Sequence, residues 1–118
     1  MYEWIDDFAL AFKGTTKDFQ PAWNAERFKV GDKMFAMKCG DNEGKPILSM
    51  KCEPDEAVML REKYPDIVPG YYCHKKTWNS VYLEGAVSRE EMCRMLENAY
   101  SIMLHSLPKK TQAAILGD

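Results

Sequence analysis

Four cysteines and two histidines are the residues of this 118-residue sequence best suited to metal binding or nucleophilic chemistry. Cys39, Cys52, Cys73 and Cys93 are too widely spaced to form the Cys-x-x-Cys pair of a zinc or redox site. Cys73 is followed by His74, but neighbours on an extended chain point to opposite faces and cannot readily share a metal ion. We therefore expect reduced thiols, no bound metal and no cofactor.

A catalytic arrangement needs a nucleophile beside a base, a carboxylate pair in a cleft, or a glycine-rich phosphate loop, and the sequence shows no such set. The second histidine, His105, falls at the end of the last predicted helix, where the helix dipole favours a cation. A structural role is favoured for it. We expect no catalytic residues and no enzymatic activity, and hence a binding domain.

Basic residues interleaved with aromatic ones are the remaining pattern that indicates a ligand. Cations attract phosphates and flat rings stack on bases, which is what a nucleic-acid interface requires. The chain as a whole is not a polycation, because its formal net charge is -2. A nucleic-acid site would therefore have to be a local patch, assembled by the elements that position its residues.

Length and composition indicate one ordered domain over residues 1–118. Hydrophobic residues make up 46% of the chain and charged residues 29%, which is typical of a globular protein. No apolar run approaches the length of a membrane span, and the first residues lack the basic and apolar regions of a signal peptide. We expect a cytoplasmic protein that does not bind membranes, and we take it to be a monomer.

Periodicity and turn residues predict a helix, three strands, a short helix, a fourth strand and a long helix. The boundaries in chain order are a helix ending before Gly14, a loop over 15–25, two strands joined by a turn at Gly31 and Asp32, a turn over 40–45, a strand over 46–52, a helix from Pro54 to Tyr64, a turn-rich stretch over 65–70, a strand over 78–84, and a helix capped by Ser88 and ended by Pro108. The economical packing is an α+β two-layer sandwich, with the N- and C-terminal helices on one face of an antiparallel sheet.

The two-residue turn sets the register of the first hairpin and, with strand alternation, the two faces of the sheet. The predicted opposed pairs are Val30 with Lys33, Phe28 with Phe35, Phe35 with Met50, and Met37 with Leu48. Together with Val81 and Leu83 these apolar residues form the predicted core face. Alternation sends the following residues to the opposite face: Arg27, Lys29, Met34, Ala36, Lys38, Ser49, Lys51, Trp78 and Tyr82.

That opposite face mixes four cations with two aromatic rings, a composition that suits nucleic acid. The same mixture also suits a protein partner, and the near-neutral charge of the chain fits that alternative better. A third possibility is a plain solvent-exposed face, on which lysine stems cover Trp78 and Tyr82. The residues alone leave these three possibilities open.

A distinctive run begins at Tyr64. It reads Tyr64-Pro65-Asp66-Ile67-Val68-Pro69-Gly70-Tyr71 and continues with Lys75-Lys76-Thr77-Trp78-Asn79-Ser80-Val81. With Lys33-Met34-Phe35-Ala36, Met50-Lys51-Cys52 and Leu107-Pro108-Lys109-Lys110, the chain closely resembles the MmcQ/YjbR family over nearly its whole length. The resemblance implies a fold similar to that of CyaY and frataxin. It also implies DNA binding, through what has been called a double-wing arrangement, with no catalytic activity.

The resemblance adds residues to the predicted nucleic-acid site. The characteristic run maps onto Tyr71, Lys75, Lys76, Trp78 and Asn79, which join the four cations and Tyr82 of the sheet face. Asn79 also has a structural interpretation, as a side chain that hydrogen-bonds backbone where the strand begins.

This sequence departs from the family pattern around the two lysines. Tyr72, Cys73 and His74 precede them, and Thr77 stands where a histidine is usual before the tryptophan. Any role that needs the histidine and asparagine side chains usual in the family at residues 72, 74 and 77 is therefore not carried over.

The frataxin-like fold raises one minor alternative, which is iron binding by carboxylates of the first helix. Glu3, Asp6 and Asp7 are neighbours at helical spacing. Acidic residues in a first turn are also explained by the helix dipole.

Overall fold

The computed structural model describes residues 2–71 and 73–117, which form a six-stranded antiparallel sheet and four α-helices. The elements in chain order are α1 (Glu3–Leu10), β1 (Thr15–Gln20), a 3-10 turn (Pro21–Trp23), β2 (Ala25–Val30), β3 (Lys33–Gly40), β4 (Pro46–Lys51), α2 (Pro54–Lys63), β5 (Ile67–Pro69), β6 (Trp78–Tyr82), α3 (Arg89–His105) and α4 (Lys109–Leu116). The strand order across the sheet is β1-β2-β3-β4-β6-β5.

All four helices pack on one face of this sheet, called the helix face, and the opposite face is called the outer face. The core under the helices includes Ile5 and Ala9 of α1, Ala57 and Leu60 of α2, Leu96 and Ala99 of α3, and Phe28, Val30, Phe35, Leu48, Met50 and Val81 of the sheet. Phe12 and Tyr100 stack with ring centroids 4.7 Å apart, and Phe35 meets Tyr100 edge-on at 5.6 Å. The predicted α+β two-layer sandwich, with helices on one face, is confirmed.

The long helix begins where its capping residue predicts. The Ser88 hydroxyl accepts the backbone N–H of Glu91 at 3.1 Å, which satisfies one free donor of the first turn. Pro108 follows the end of α3 and directly precedes α4, a helix that the sequence patterns did not predict. None of the helices within residues 2–71 and 73–117 is long and apolar enough to cross a membrane.

Two strands were also missed because their own residues carry little strand signal. The predicted loop over 15–25 is wrong, since it contains β1 and the 3-10 turn; β1 has mostly exposed side chains and forms by pairing with β2. The turn-rich stretch over 65–70 contains the three-residue β5, which pairs with β6. Both strands depend on pairing with the strand that follows them rather than on hydrophobic alternation of their own.

The β2–β3 hairpin has the predicted turn but not the predicted register. Gly31 and Asp32 both have positive φ, 55° and 67°, as a two-residue turn of type I′ requires, and Val30 pairs with Lys33 as predicted. Beyond this, a β-bulge leaves Phe35 as an extra residue, so that Phe28 pairs with Ala36 and not with Phe35. The predicted Phe28–Phe35 pair is therefore wrong.

The bulge reverses the faces of the residues that follow it in β3. Phe35 and Ala36 both lie in the core on the helix face, whereas Met37, paired with Arg27 and Ser49, lies on the outer face. The predicted pairs Met37–Leu48 and Phe35–Met50 are thus wrong, because Lys38 pairs with Leu48 and Ala36 with Met50. The predicted outer position of Ala36 is wrong for the same reason.

Candidate nucleic-acid interface

The outer face is a set of polar rows that run across the strands. One row runs through Asp18, Arg27, Met37, Ser49, Ser80 and Val68, which are paired in that order from β1 to β5. Lys29 pairs with Met34, Lys51 with Trp78, and Ile47 with Tyr82. Because paired residues point to the same side of a sheet, the structure places Arg27, Lys29, Lys51, Trp78 and Tyr82 on the outer face, as predicted.

Two of the predicted cations share one carboxylate. Arg27 donates to both oxygens of Asp18, at 2.7 and 2.8 Å, and the Lys29 Nζ lies 3.0 Å from the same carboxylate. These hydrogen bonds, first from Arg27 and then from Lys29, lower the pKa of Asp18 to about 2. The Arg27 guanidinium also lies 5.7 Å from the centre of the Trp23 ring. Two cations held by one carboxylate leave one positive charge in excess.

The centre of the outer face is covered by the chain that follows β5, called the crossing segment (residues 70–77, of which 70, 71 and 73–77 are described). The Tyr71 N–H donates to the Ser80 Oγ at 3.0 Å, and the Ser80 and Ser49 hydroxyls are 2.6 Å apart. Met37, Ile47, Ser49 and Ser80 are fully buried although they lie on the outer face. This face is therefore closed at its centre rather than open to solvent.

Gly70 allows the crossing segment to approach the sheet. Its N–H donates to the Trp78 carbonyl at 2.9 Å, and a Cβ added at Gly70 would lie 2.7 Å from the Trp78 Cβ. Contacts this short are not tolerated, so a side chain at residue 70 would push the segment away from β6.

A chain of hydroxyl and carboxylate groups also anchors the start of the crossing segment, through the side chain of Tyr71. The Tyr71 and Tyr82 phenol oxygens are 3.4 Å apart, and the Tyr82 hydroxyl donates to Asp41 Oδ2 at 2.8 Å. Burial would raise the pKa of Asp41, but hydrogen bonds from the Lys45 N–H, the Tyr82 hydroxyl and the Glu43 N–H outweigh it and lower that pKa. The pKa of Tyr82 is raised, first by the hydrogen bond with Tyr71 and then by Asp41.

The two predicted aromatic rings are consequently poor stacking platforms. Trp78 is only 6% exposed beneath the crossing segment, and Tyr82 is half-buried with its hydroxyl engaged by Asp41. A base could stack on Trp78 only if the crossing segment moved. The sequence pattern predicted an exposed aromatic surface, but Trp78 and Tyr82 form part of a second small core.

The lysines of the crossing segment lie outside this core and are exposed. Lys75 Nζ donates to the Gly70 carbonyl at 3.3 Å, and the Lys75 carbonyl accepts from Arg61 at 2.9 Å. Burial raises the pKa of Cys73 to about 11, and Lys75 and Lys51 oppose that rise. Lys51 and Lys75 thus both lie near Cys73 at one end of the outer face, and Lys76 is the exposed residue that follows Lys75.

Lys38 was predicted on the wrong face. It lies on the helix face, where its Nζ is 2.5 Å from Asp6 and 3.2 Å from Glu26. The bulge at Phe35 is the cause, because one extra residue reverses the direction of every later side chain in the strand.

Asn79 also does not contribute to the outer face. It is fully buried on the helix face, where its Nδ2 donates to the Ala57 carbonyl of α2 at 3.2 Å. Asn79 therefore has the structural role of hydrogen-bonding to backbone, and the predicted contact with nucleic acid is wrong because the side chain is buried.

The alternative iron site on α1 loses one of its ligands. Asp6 is held between Lys17 at 2.6 Å and Lys38, so its carboxylate is neutralised within the fold. Among residues 2–71 and 73–117 there is no group of three or more His, Cys, Asp or Glu side chains arranged to hold a metal ion.

Sequence patterns did not indicate the residues that decide how this surface behaves. Asp18 lies on the strand that was predicted as a loop, and Ser49, Ser80 and Asp41 gain their roles only when distant segments meet. Ser49 and Ser80 are buried on strands, where polar side chains need hydrogen-bond partners. These two serines are the residues whose type could have indicated that another segment of the chain covers this face.

Comparison with known proteins identifies the family. The sequence model of the YjbR family matches residues 10–102. This chain belongs to the YjbR family. It is 27% identical over 109 residues to the uncharacterized protein YjbR of Escherichia coli K12, with 92% of each chain covered. It is 30% identical over 88 residues to the uncharacterized protein YbdF of Escherichia coli O157:H7, covering 75% of this chain and 71% of YbdF.

Solved structures agree with this YjbR fold. A Deinococcus radiodurans protein with a DUF419 domain superposes with a TM-score of 0.86 at 25% identity, covering 98% of this chain and 87% of that one. A Pseudomonas syringae protein superposes with a TM-score of 0.71 at 24% identity, covering 87% and 98%. The predicted family is confirmed, and these relatives carry the same sandwich.

Proposed function

We propose that this YjbR-family chain is a non-enzymatic domain that binds DNA through phosphate contacts at the margins of its outer face. The residues that we assign to these contacts are Arg27, Lys29, Lys51, Lys75 and Lys76. The observation that carries the proposal is a separation of charge between the two layers of the sandwich.

The sheet is basic and the helix layer is acidic. The six strands carry six lysines and arginines against two carboxylates, whereas the four helices of the described chain carry six against nine. Lys17 and Lys38 are neutralised on the helix face by Asp6 and Glu26. The excess positive charge of the sheet is therefore concentrated on the outer side, although the chain is acidic overall.

The geometry favours contacts to phosphate over contacts to bases. Trp78 is covered, so the aromatic stacking that single-strand binders use is not offered by the closed surface. Lysine and arginine contacts to phosphate carry little sequence information. We therefore expect weak, strongly salt-dependent binding with little sequence preference.

A titration of labelled duplex DNA across a range of salt concentrations tests the proposal. In the double variant Lys29→Glu, Lys51→Glu we expect affinity to fall for every sequence and the salt dependence to flatten by about one to two units of slope, since each phosphate contact contributes about 0.9. The matched control is Lys109→Glu, Lys110→Glu, which makes the same change in net charge at two exposed positions of the helix layer. Equal losses in both variants would mean that only net charge matters, and the outer face would not be the site.

A protein partner on the same face is the second candidate, and Asp18 favours it. A carboxylate between Arg27 and Lys29 weakens the attraction for phosphate but provides the mixed charge that protein interfaces use. Absence of any saturable DNA binding at low salt would favour this candidate, because phosphate contacts are strongest there.

A further inference from the structure

The two edges of the sheet are protected to different degrees. β5 forms one edge, with only three residues and a proline at its end, and short strands and prolines are common means of preventing edge pairing. β1 forms the other edge, with six residues that pair on one side only, with β2. Within the described chain, β1 is therefore the longer free strand edge.

The charges that usually guard such an edge are directed into the molecule itself. Lys17 is held by Asp6 and Glu26 on the helix face, and Asp18 is held by Arg27 and Lys29 on the outer face. A charged side chain on an edge strand repels a second strand most strongly when it is unpaired, and here both Lys17 and Asp18 are paired with neighbours of opposite charge.

Exposed hydrophobic side chains border the same edge. Phe19, on β1, is 54% exposed, and Trp23, in the turn that follows, is 42% exposed. Leu10, at the end of α1 shortly before β1, is 42% exposed. Two of the five large hydrophobic side chains that are exposed in the described chain thus lie on the edge strand or in the turn that follows it, and neighbouring exposed apolar side chains are typical of an interaction surface.

We propose that this edge is a homodimer interface, in which β1 pairs antiparallel with β1 of a second copy of the chain. A two-fold axis normal to the sheet would keep the helices of both copies on one side and join the two outer faces on the other. Residues directly opposite each other in an antiparallel pair point to the same face of the sheet. This symmetry therefore pairs even-numbered residues of one copy with even-numbered residues of the other, and odd-numbered residues with odd-numbered ones. The six strands of each copy would then form one continuous sheet.

Charge selects the register of this pairing. A pairing centred on Lys17 would set that lysine against the partner's Lys17. A pairing centred on Asp18 sets Lys17 against the partner's Phe19, a cation facing an exposed ring, and Thr16 against the partner's Gln20. The two Asp18 carboxylates at the axis are each held by Arg27 and Lys29, so neither carboxylate faces the other unpaired.

The dimer interface does not depend on DNA binding, but it would change how the cations of the outer face are arranged. Arg27 and Lys29 lie on β2, so the corresponding cations of the two copies are separated by three strand spacings, about 14 Å. Dimerisation would thus double the outer-face charge around one axis. An edge contact of this size is small, and dissociation in the micromolar range is expected.

Sedimentation equilibrium of the parent chain and two single variants tests the interface. Phe19→Lys places a second lysine against Lys17 and removes the exposed ring. Met59→Lys, at a residue of α2 that is 65% exposed, makes the same type of change away from the edge. We expect the parent and Met59→Lys to dimerise equally and Phe19→Lys to dissociate at about tenfold lower concentration or below.

Three results would overturn the interface: a parent chain that is monomeric at millimolar concentration, a Phe19→Lys variant that dimerises as the parent does, or equal weakening by both substitutions. Circular dichroism of each variant establishes that it is folded. A double variant Thr16→Cys, Gln20→Cys checks the register, since opposed strand positions are close enough for disulfides. Oxidised glutathione should link two copies of this variant and neither single variant; a register centred on another residue would leave the double variant unlinked or would link a single variant.

Discussion

The two faces of the sheet each carry a cluster of ion pairs on the same strands, and the clusters differ in balance. On the helix face Lys17 and Lys38 meet Asp6 and Glu26, two cations against two carboxylates. On the outer face Arg27 and Lys29 share Asp18 alone. The balanced cluster ties α1 to the sheet, and the unbalanced cluster retains a charge that a ligand can use.

The two faces also differ in what covers them. The helix face is closed by apolar side chains of four helices, whereas the outer face is closed at its centre by one segment held through Ser80 and Tyr82. Apolar packing over a broad area contributes more stability than a few hydrogen bonds at a surface. The helix face should therefore dominate stability, and the outer face should dominate binding.

The largest effect is expected from Phe35→Ala. Phe35 is fully buried on the helix face against Tyr100, so its truncation should cost about 3–5 kcal/mol of the free energy of unfolding. Lys29→Ala on the outer face should change it by about 0.5 kcal/mol or less. Urea denaturation of both variants measures the contrast, and a larger loss from Lys29→Ala would invert the assignment of faces.

A smaller loss is expected from Gly70→Ala, which tests the cover of the outer face. The added Cβ would meet the Trp78 Cβ at 2.7 Å and its carbonyl oxygen at 3.1 Å, and overpacking of this kind costs about 1–3 kcal/mol. Hydrogen exchange followed by mass spectrometry should show lost protection over residues 70–82 with the helices unchanged. Unaltered protection and stability would show that the crossing segment is not tightly packed on β6.

Removal of one carboxylate from each cluster sharpens the comparison of charge. Asp18→Asn should strengthen duplex DNA binding several-fold and steepen its salt dependence by about one unit, because Arg27 and Lys29 are released for phosphate. Asp6→Asn should leave DNA binding unchanged and lower stability by about 1 kcal/mol, since Lys17 and Lys38 face α1. DNA titrations compare the two, and stronger binding by Asp6→Asn would contradict the role of the outer face.

The smallest effect is a dependence of stability on pH. The pKa of Asp18 is about 2 in the folded chain against an ordinary value of 3.8, so its ion pairs stabilise the fold above about pH 4 and lose this contribution as pH falls from 3.8 towards 2. Thermal unfolding between pH 6 and pH 2 should therefore show a smaller decline in Asp18→Asn than in the parent. Parallel declines would mean that the exposed Asp18 ion pairs do not contribute measurably to stability.

Much of the fold could be predicted from local patterns. Gly31 and Asp32 indicated the hairpin turn, Ser88 indicated the start of the long helix, and helical spacing indicated which side of α3 is buried. These features depend on residues within a few positions of one another, which is why the sequence reveals them. The outer positions of Arg27, Lys29 and Lys51 followed from alternation alone.

The rest was decided by contacts between separate strands, helices and loops. One bulge residue, Phe35, moved Lys38 to the helix face, because the side-chain period of a strand is two and a single insertion reverses it. β1 exists because β2 is available to pair with it, and Trp78 is covered because Gly70 and Tyr71 cross the sheet above β6. The sequence by itself thus determined the family, the layers and the turns. Tertiary structure alone decided which charges remain in excess and which rings are covered, since both depend on how separate segments pair and pack against one another.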